Sequence, residues 1–176
     1  MNQARIEQHR HQKNAFFKSH PQSPLTPAQQ AVFTGLAHYE YNPDLDLTVA
    51  VEPFETPKIV QILTTDNQIH NYLRYAEFTF TVDSEEVCLT IFRTEHGFFL
   101  PFVDANAGKE TYPAGRYLEP EQIDHTTFHI DFNLAYNPFC AYNDAWSCPI
   151  TPFENRLKVA IRAGEKIFPQ IRSKAG

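Results

Sequence analysis

The chain concentrates its chemically versatile residues between 131 and 149, in the stretch DFNLAYNPFCAYNDAWSCP. This run contains three Asn, two Tyr, two Asp, two Cys, one Trp and two Pro. It is too polar for a core and too aromatic for a plain linker. It therefore predicts a long ordered loop held by aromatic side chains, which in a compact domain is often functional. The alternative is a lid on one end of the domain, with Asn side chains satisfying buried backbone groups.

The strand-like stretch TTFHIDFN leads directly into this loop. Alternation places its apolar side chains on one face, while the other face receives Thr127, His129, Asp131 and Asn133. Neighbours on that face lie roughly 6.5–7 Å apart, so they can bind a metal, move a proton or hydrogen-bond a ligand. His129 and Asp131 are therefore candidate catalytic residues, each as a general base. A solvated outer face is the alternative interpretation.

Cys140 and Cys148 allow several interpretations. Cys140 is a third catalytic candidate, as the nucleophile of a Cys–His pair. The spacing of the two cysteines does not match a zinc knuckle, so a metal site would also need His129 or Asp131. Two small buried apolar side chains, or a disulfide in an oxidising environment, are also possible. Cys88, on a predicted strand, is expected to pack in the core.

Arg116 follows a Pro-Ala-Gly turn and carries a planar fork of five donors. It can form an ion pair with Asp104 or Asp131, or bind an anionic ligand. The leading hypothesis is a small-molecule-binding domain with a polar pocket formed by residues 104–155, because convergent amides, a guanidinium and aromatic walls are typical of such pockets. The residues predicted to line it are Arg116, Asp131, Asn133, Tyr136, Asn137 and Asn155.

Two other functions remain open at this point. One is a metal-assisted or general-base enzyme of the hydrolase type. The other is a structural or interaction module in which the loop only closes the end of the domain. A nucleotide phosphate loop, a nucleophile elbow and the HExxH motif are all missing from the sequence. The sequence identifies neither a cofactor nor the oligomeric state.

Two helices are predicted at the start of the chain. Residues 3–18 have a partly helical pattern and end at the breaker HPQSPL. A second, short helix follows in TPAQQAVFTGL, where Thr26 serves as N-cap and Pro27 takes the first helical position. Gln29 completes a capping box and Gly35 gives a stop signal.

The pattern changes to a period of two from residue 36 onwards. LTVAVEPF, EFTFTVD, VCLTIF, HGFFLPFVD and TTFHIDFN all read as strands joined by polar turns, and KIVQILT reads as a buried run. The fold class is therefore mainly β, a single antiparallel β-barrel or sandwich-like domain carrying the two helices. We divide the chain into the N-terminal helix and connector, 1–25, and a β-rich domain, 26–176. The tail is ambiguous, because LKVAI alternates like a strand whereas Thr151–Asn155 predicts one helical turn.

Composition limits the partners that this chain can have. Among 176 residues the net charge is −6 and the basic residues are scattered, which disfavours nucleic acid. No apolar run approaches the roughly 20 residues of a membrane span, and the first residues lack the apolar region of a secretory signal. We therefore expect a cytoplasmic protein with reduced thiols and no membrane partner, for which a small-molecule ligand is possible.

Three stretches resemble a known protein family: SPLTPAQQAVFTGL, FFLPFVDANAGKETYPAGRYLEP and DFNLAYNPFCAYNDAWSCPITPFENRLKVAIRAGEK. The chain is similar, from about Lys13 to Lys166, to the bacterial and archaeal family catalogued as domain of unknown function 1684. The resemblance implies no established activity. The family's signature positions in this sequence are Asp104, Gly108, Thr111, Tyr112, Gly115, Arg116, Tyr117, Asp131, Asn133, Tyr136, Asn137, Pro138, Cys140, Cys148, Pro149, Glu154, Asn155 and Gly164.

Overall fold

Two antiparallel β-sheets and two helices form the fold in the computed structural model, which describes residues 2–169. The predicted class, mainly β with an N-terminal helix and a short second helix, is confirmed. In the described part of the chain the sheets stay open and form a sandwich-like arrangement instead of a closed barrel. The strands are β1 (Asp46–Ala50), β2 (Glu52–Leu63), β3 (Ile69–Val82), β4 (Glu85–Thr94), β5 (Gly97–Phe102), β6 (Arg116–Leu118), β7 (Glu121–Asp124) and β8 (Thr127–Asp131).

The larger sheet is a meander in the order β2-β3-β4-β5-β6, and the smaller sheet has the order β1-β8-β7. The chain changes sheets at Val51, between β1 and β2. In the smaller sheet His129 lies on the central strand, opposite Thr48 of β1 on one side and Glu121 of β7 on the other. This register places the outer face of β8 between two strands that both contribute polar side chains.

The core lies between the inner faces of the two sheets. On β8 and just after it, Phe128, Ile130 and Phe132 are at most 1% exposed, as the alternation predicts. Phe78 and Phe80 of β3 pack from the opposite side. Burial of each such side chain contributes about 1.5–3 kcal/mol and fixes the strand's orientation. His129 therefore points away from the core.

Helix α1 spans Asn2–Ser19, and helix α2 spans Pro27–Val32. The predicted capping box is confirmed: Thr26 Oγ1 accepts a hydrogen bond from Gln29 N, and Gln29 Oε1 accepts one from Thr26 N at 2.8 Å. Helix α2 ends three residues before the predicted stop signal. Within the described segment, neither helix has the length and apolarity needed to cross a membrane.

A second apolar cluster joins α1 to the body of the protein. Phe17 is 1% exposed and packs against Phe33 and Tyr142, with the Tyr142 ring centroid 5.0 Å away. Ile6 is buried near the other end of the helix. Because α1 is anchored at both ends, the face between these anchors has a fixed position over the small sheet. The boundary predicted at residue 25 stays a prediction.

Two predictions about the chain were wrong in detail. KIVQILT is not a buried run, since Ile59 and Leu63 are 69% and 48% exposed. It belongs to β2, an edge strand, and a short apolar run cannot distinguish an edge from a centre. Cys88 is exposed because the inward positions of β4 are taken by its neighbours Leu89 and Ile91.

The sequence left the tail ambiguous. LKVAI forms no strand, whereas the helical turn is realised as a 3-10 turn at Phe153–Asn155. Residues 170–176 of the predicted domain lie outside the described residues.

Candidate functional site

A cleft of about 370 Å³ separates helix α1 from the small sheet. Its helical wall carries Arg5, His9 and Lys13, which recur every four residues and therefore share one face of α1. All three side chains can carry positive charge. The sheet thus faces a wall of cationic and hydrogen-bond-donating groups.

The opposite wall is rich in carboxylates. It includes Glu119, Glu121 and Asp131, together with His129 and Tyr136. Apolar residues form the remainder of the lining: Leu118, Pro120, Ile130, Leu134 and Phe139. The cleft therefore presents opposite charges on its two walls beside an apolar surface.

His129 is fixed from both sides of its ring. Its Nε2 lies 2.6 Å from Asp46 Oδ1, and its Nδ1 lies 3.8 Å from Glu121 Oε2. Both carboxylates come from strands that pair with β8, so the register itself positions them. A carboxylate therefore lies beside each ring nitrogen, and Glu121 also lines the cleft.

Asp131 ends strand β8 and caps the 3-10 turn at Phe132–Leu134. Its Oδ1 accepts hydrogen bonds from Asn133 N at 2.9 Å and from Asn133 Nδ2 at 2.8 Å. Its Oδ2 accepts no hydrogen bond from any of residues 2–169. The side chain is 8% exposed and lines the cleft. One carboxylate oxygen is thus occupied by the fold and the other is available to a ligand.

Tyr136 connects the two walls. Its hydroxyl donates to Glu119 Oε1, and its ring lies 4.9 Å from Lys13 Nζ. Burial raises the pKa of Tyr136 well above its ordinary value, and the Glu119 carboxylate adds to the shift. The phenol therefore remains protonated and acts as a hydrogen-bond donor.

The three cationic residues of α1 are not equivalent. Lys13 Nζ lies 2.5 Å from Glu165 Oε1, and this carboxylate is only 2% exposed. Lys13 is therefore committed to a buried ion pair that holds α1 in place. Arg5 and His9 form no side-chain hydrogen bond or ion pair with the residues that the structure describes. Burial and the nearby Lys13 lower the pKa of His9.

Arg116 does not line the cleft, in contrast to the prediction. It is 1% exposed and donates to three backbone carbonyls, those of Ile161 at 2.8 Å, Ala163 at 2.5 Å and Glu165 at 3.0 Å. Its Nη2 lies 3.8 Å from Asp104 Oδ2, which realises the ion pair that the sequence allowed. The guanidinium fork fixes the C-terminal segment through Nη1 and Nη2, while Nε is buried without a hydrogen-bond partner among residues 2–169.

Asn133 and Asn155 also serve the backbone. Asn155 is fully buried; its Oδ1 accepts from Thr90 N, and its Nδ2 donates to the carbonyls of Thr90 and Pro101, all at 2.8 Å. Asn133 exchanges hydrogen bonds with the backbone N–H and carbonyl of Asn42. Neither side chain reaches the cleft, because every polar atom of each amide is used to hold a loop.

Asn137 is 1% exposed and also lies outside the cleft lining. Its Nδ2 donates to Lys166 O at 2.9 Å, and its backbone N–H donates to Glu165 Oε2 at 3.0 Å. Of the six residues predicted to bind a ligand, the structure brings only Asp131 and Tyr136 together in the cleft. His129, predicted as a catalytic candidate, joins them there.

The two cysteines lie elsewhere. Cys140 lines a separate cavity of about 230 Å³, and Cys148 packs behind it. Both thiols are buried and free. The four weak metal candidates, His129, Asp131, Cys140 and Cys148, are therefore divided between two places. Within residues 2–169, no group of three His, Cys, Asp or Glu side chains is arranged to hold a metal ion.

Sequence reasoning missed most of the cleft wall. Arg5, His9 and Lys13 have a usable signal, because their spacing of four places three cationic groups on one face of a predicted helix. Glu119 and Glu121 have no comparable signal in the sequence, since their position depends on how β7 pairs with β8. The docking of α1 on the small sheet is a long-range contact that no local pattern encodes.

A wider groove of about 830 Å³ lies on the far side of Tyr136 and Glu119. It is lined by aromatic side chains of the large sheet, including Tyr72 and Phe99, and by exposed polar loops. Neither the unpaired groups of α1 nor Asp131 reach it. The cleft under α1 is therefore the better candidate site.

The fold and cleft together define a class: a sandwich-like β domain whose N-terminal helix covers a charged cleft on the smaller sheet. Residues 31–166 match the protein family described as "Protein of unknown function (DUF1684)", and the chain belongs to this family. A solution NMR structure of an uncharacterised protein from Haloarcula marismortui is 38% identical, with 93% of this chain and 92% of that chain covered and a TM-score of 0.69. The comparison with curated proteins gave no match.

Proposed function

We propose that this protein binds a small molecule in the cleft between α1 and the small sheet. The observation that carries the proposal is the set of unpaired polar groups meeting there: Arg5 and His9 on the helix, and Oδ2 of Asp131 on the sheet. Polar groups left without protein partners beside a concave apolar surface are typical of ligand sites. The neighbouring Lys13 and Oδ1 of Asp131 already have protein partners. Arg5, His9 and Oδ2 of Asp131 are therefore the groups that remain for a ligand.

The charge distribution favours a small zwitterion as the ligand. Arg5 and His9 suit a carboxylate, while Asp131 and Glu121 suit an ammonium group. A volume of about 370 Å³ is at the small end of the usual range for ligand pockets, which fits an amino acid or a short derivative. Leu134 and Phe139 offer an apolar surface to its side chain.

Calorimetric titration with a panel of amino acids tests the proposal. For each amino acid that binds, two analogues dissect recognition; for leucine these are 4-methylpentanoic acid, which lacks the amine, and 3-methylbutylamine, which lacks the carboxylate. We expect each analogue to bind at least about tenfold more weakly, since a charge-assisted hydrogen bond contributes roughly 1.5–3 kcal/mol.

Asp131→Asn is the matched variant, because the amide keeps an acceptor for the Asn133 backbone while losing the charge. We expect it to weaken binding about tenfold or more. Glu86→Gln, at an exposed position of β4 in the other sheet, changes the net charge equally and should bind normally. A panel without any binding amino acid, or an Asp131→Asn protein that binds like wild type, would contradict the proposal.

A second candidate function is general-base catalysis on the bound molecule. The specific observation is the 2.6 Å contact of His129 Nε2 with Asp46 Oδ1, which orients the imidazole. In this case a ligand that binds is also converted. NMR spectra of the ligand, followed over hours, would show a product with wild-type protein, and His129→Gln would bind the ligand without converting it. An unchanged ligand spectrum would leave binding as the only role.

A further inference from the structure

The two cysteines of the signature loop form a pair inside the protein. Cys140 is the middle residue of the 3-10 turn at Phe139–Ala141, and its backbone N–H donates to Cys148 Sγ at 3.3 Å. The Tyr112 hydroxyl lies 3.8 Å from Cys140 Sγ on the other side. A second thiol and a phenol therefore surround one sulfur atom, although eight positions separate the cysteines in sequence.

The two thiols differ in access. Cys140 lines the cavity of about 230 Å³ together with Tyr112, Asp66 and Asp144, whereas Cys148 is not part of that lining. Cys140 is thus the sulfur that an entering molecule meets first. Cys148 lies outside this lining, with its Sγ 3.3 Å from the backbone N of Cys140.

The cavity also restricts what can enter. Its volume excludes a large thiol reagent, and the carboxylates of Asp66 and Asp144 repel anions. A small neutral molecule meets neither obstacle. Hydrogen peroxide is the simplest oxidant with these properties, while glutathione disulfide is too large and carries negative charge.

The chemical state of the pair suits this reaction. Hydrogen bonding with the Cys148 thiol lowers the pKa of Cys140 to about 7, and the Tyr112 hydroxyl contributes in the same direction. The same pairing raises the pKa of Cys148. The thiolate, which is the reactive nucleophile, therefore resides on Cys140.

We propose that Cys140 and Cys148 form a dithiol site that reacts with hydrogen peroxide, in which Cys140 is the attacking and Cys148 the resolving residue. The Cys140 thiolate attacks one peroxide oxygen, an S–O bond forms, the O–O bond breaks, and the leaving hydroxide takes up a proton as water. The Cys148 sulfur then attacks the Cys140 sulfur, an S–S bond forms, and the S–O bond breaks to release a second water. Two thiols lose two electrons and two protons, and one peroxide becomes two waters.

Mass spectrometry of tryptic peptides, prepared from the full chain after a peroxide pulse, tests the proposal. Trypsin leaves both cysteines in the peptide 117–156 and places Cys88 in the peptide 75–93, so Cys88 is an internal control. Cys88 is exposed as a residue, but its thiol is partly buried. This partial burial and the charge of nearby Glu77 both raise the pKa of the Cys88 thiol. We expect peptide 117–156 to become two hydrogens lighter at least about tenfold faster than Cys88 is oxidised, and dithiothreitol to reverse the change.

Two single variants separate the roles of the sulfurs. Cys148→Ser removes the resolving thiol, so a peroxide pulse followed by unfolding of the protein in dimedone should give a stable adduct on Cys140. Cys140→Ser should leave Cys148 unlabelled, because its thiol does not face the cavity. Cys88→Ser should leave the reaction of peptide 117–156 unchanged. Circular dichroism establishes that each variant is folded.

The wild-type protein alone can overturn the proposal, so the result does not depend on the variants. Peptide 117–156 oxidising no faster than Cys88 would exclude a reactive dithiol. A dimedone adduct on Cys148 in Cys140→Ser would exclude the assigned order of attack. Intermolecular dimers as the main product would exclude resolution by Cys148 within one chain.

Discussion

Arg116 shows how a single side chain can organise a long irregular segment. It is 1% exposed, and three carbonyls between residues 161 and 165 depend on its guanidinium. The nearby Asp104 accepts from Thr111 Oγ1 at 2.6 Å and from Ile161 N at 2.9 Å. Donor and acceptor thus hold the same stretch of chain from two sides, which is why a segment without regular structure stays packed against the core.

Replacement of Arg116 should therefore affect folding more than binding. Arg116→Gln leaves carbonyls without donors and Asp104 without its buried counter-charge, so we expect a loss of about 3–5 kcal/mol in the free energy of unfolding. Urea titration measures this loss. Arg162→Gln, which removes an exposed pair with Asp83, should leave the urea midpoint unchanged. Equal midpoints for the two variants would show that Arg116 is not the organising residue.

His38 gives the protein a defined sensitivity to acid. Burial lowers its pKa from an ordinary 6.5 to about 4, so the folded protein keeps the imidazole neutral where the unfolded chain takes up a proton. This contribution to stability is complete above pH 6.5 and is lost as the pH falls through about 4. His38→Gln can keep a donor to Leu36 O and does not titrate.

The stability of wild type should fall between pH 6.5 and pH 4 more than that of His38→Gln. The excess is about 1–2 kcal/mol when the partial exposure of the ring is discounted. Urea unfolding at several pH values measures both curves. Parallel curves would mean that His38 titrates normally in the folded protein.

At the scale of single residues, the sequence identified important positions without distinguishing their roles. Arg116, Asn133 and Asn155 were predicted to bind a ligand, yet they hold backbone groups. Buried structural amides and ligand-binding amides are the same residue types in the same polar loops. Only the location of backbone partners separates them, and that location depends on tertiary structure. For Asp131 we propose both roles: Oδ1 accepts from Asn133 N, and Oδ2 is the oxygen proposed to bind the ligand.

At the scale of elements, local signals predicted most of what is observed. The capping box of α2 and the alternation along β8 both follow from short-range chemistry. The failures concern position within a sheet. A period-two pattern cannot tell the edge strand β2 from a central strand, and it cannot show that one strand-like stretch is divided between two sheets at Val51.

Gly164 offers a test of how closely two elements approach. Its φ is +77°, and a Cβ there would lie 2.6 Å from Ala135 O and 2.8 Å from Phe132 O. Gly97 has a φ of +127° with nothing within 4 Å of an added Cβ, so it controls for backbone strain alone. We expect Gly164→Ala to lower the free energy of unfolding by about 2 kcal/mol more than Gly97→Ala does. Similar losses in the two variants would mean that the loop after β8 and the C-terminal segment are not in contact.

At the scale of the whole molecule, helix α1 completes the candidate site. The small sheet supplies one wall, and the other exists only because Ile6, Phe17 and Lys13 dock the helix. The sequence predicted both the helix and the strand β8, but not their juxtaposition. This explains why the predicted pocket and the observed cleft share so few residues.

Loosening the helix should therefore open the cleft. Phe17→Ala leaves a cavity among Phe33 and Tyr142, and we expect a loss of about 3–5 kcal/mol in the free energy of unfolding. Amide hydrogen exchange should become faster throughout α1, while strands β3 and β4 change little under native conditions. Uniformly faster exchange in helix and sheets alike would mean that α1 does not open as a separate unit.

The most direct test of the binding site is the mapping of backbone amide shifts by NMR during titration with small zwitterions. The cleft predicts changes clustered in residues 5–13, 118–121 and 129–136, which disappear in Asp131→Asn. Changes clustered along Tyr72 and Phe99 instead would move the site to the wider groove of the large sheet. A ligand that binds without shifting any amide around the cleft would contradict the assignment of the cleft as the binding site.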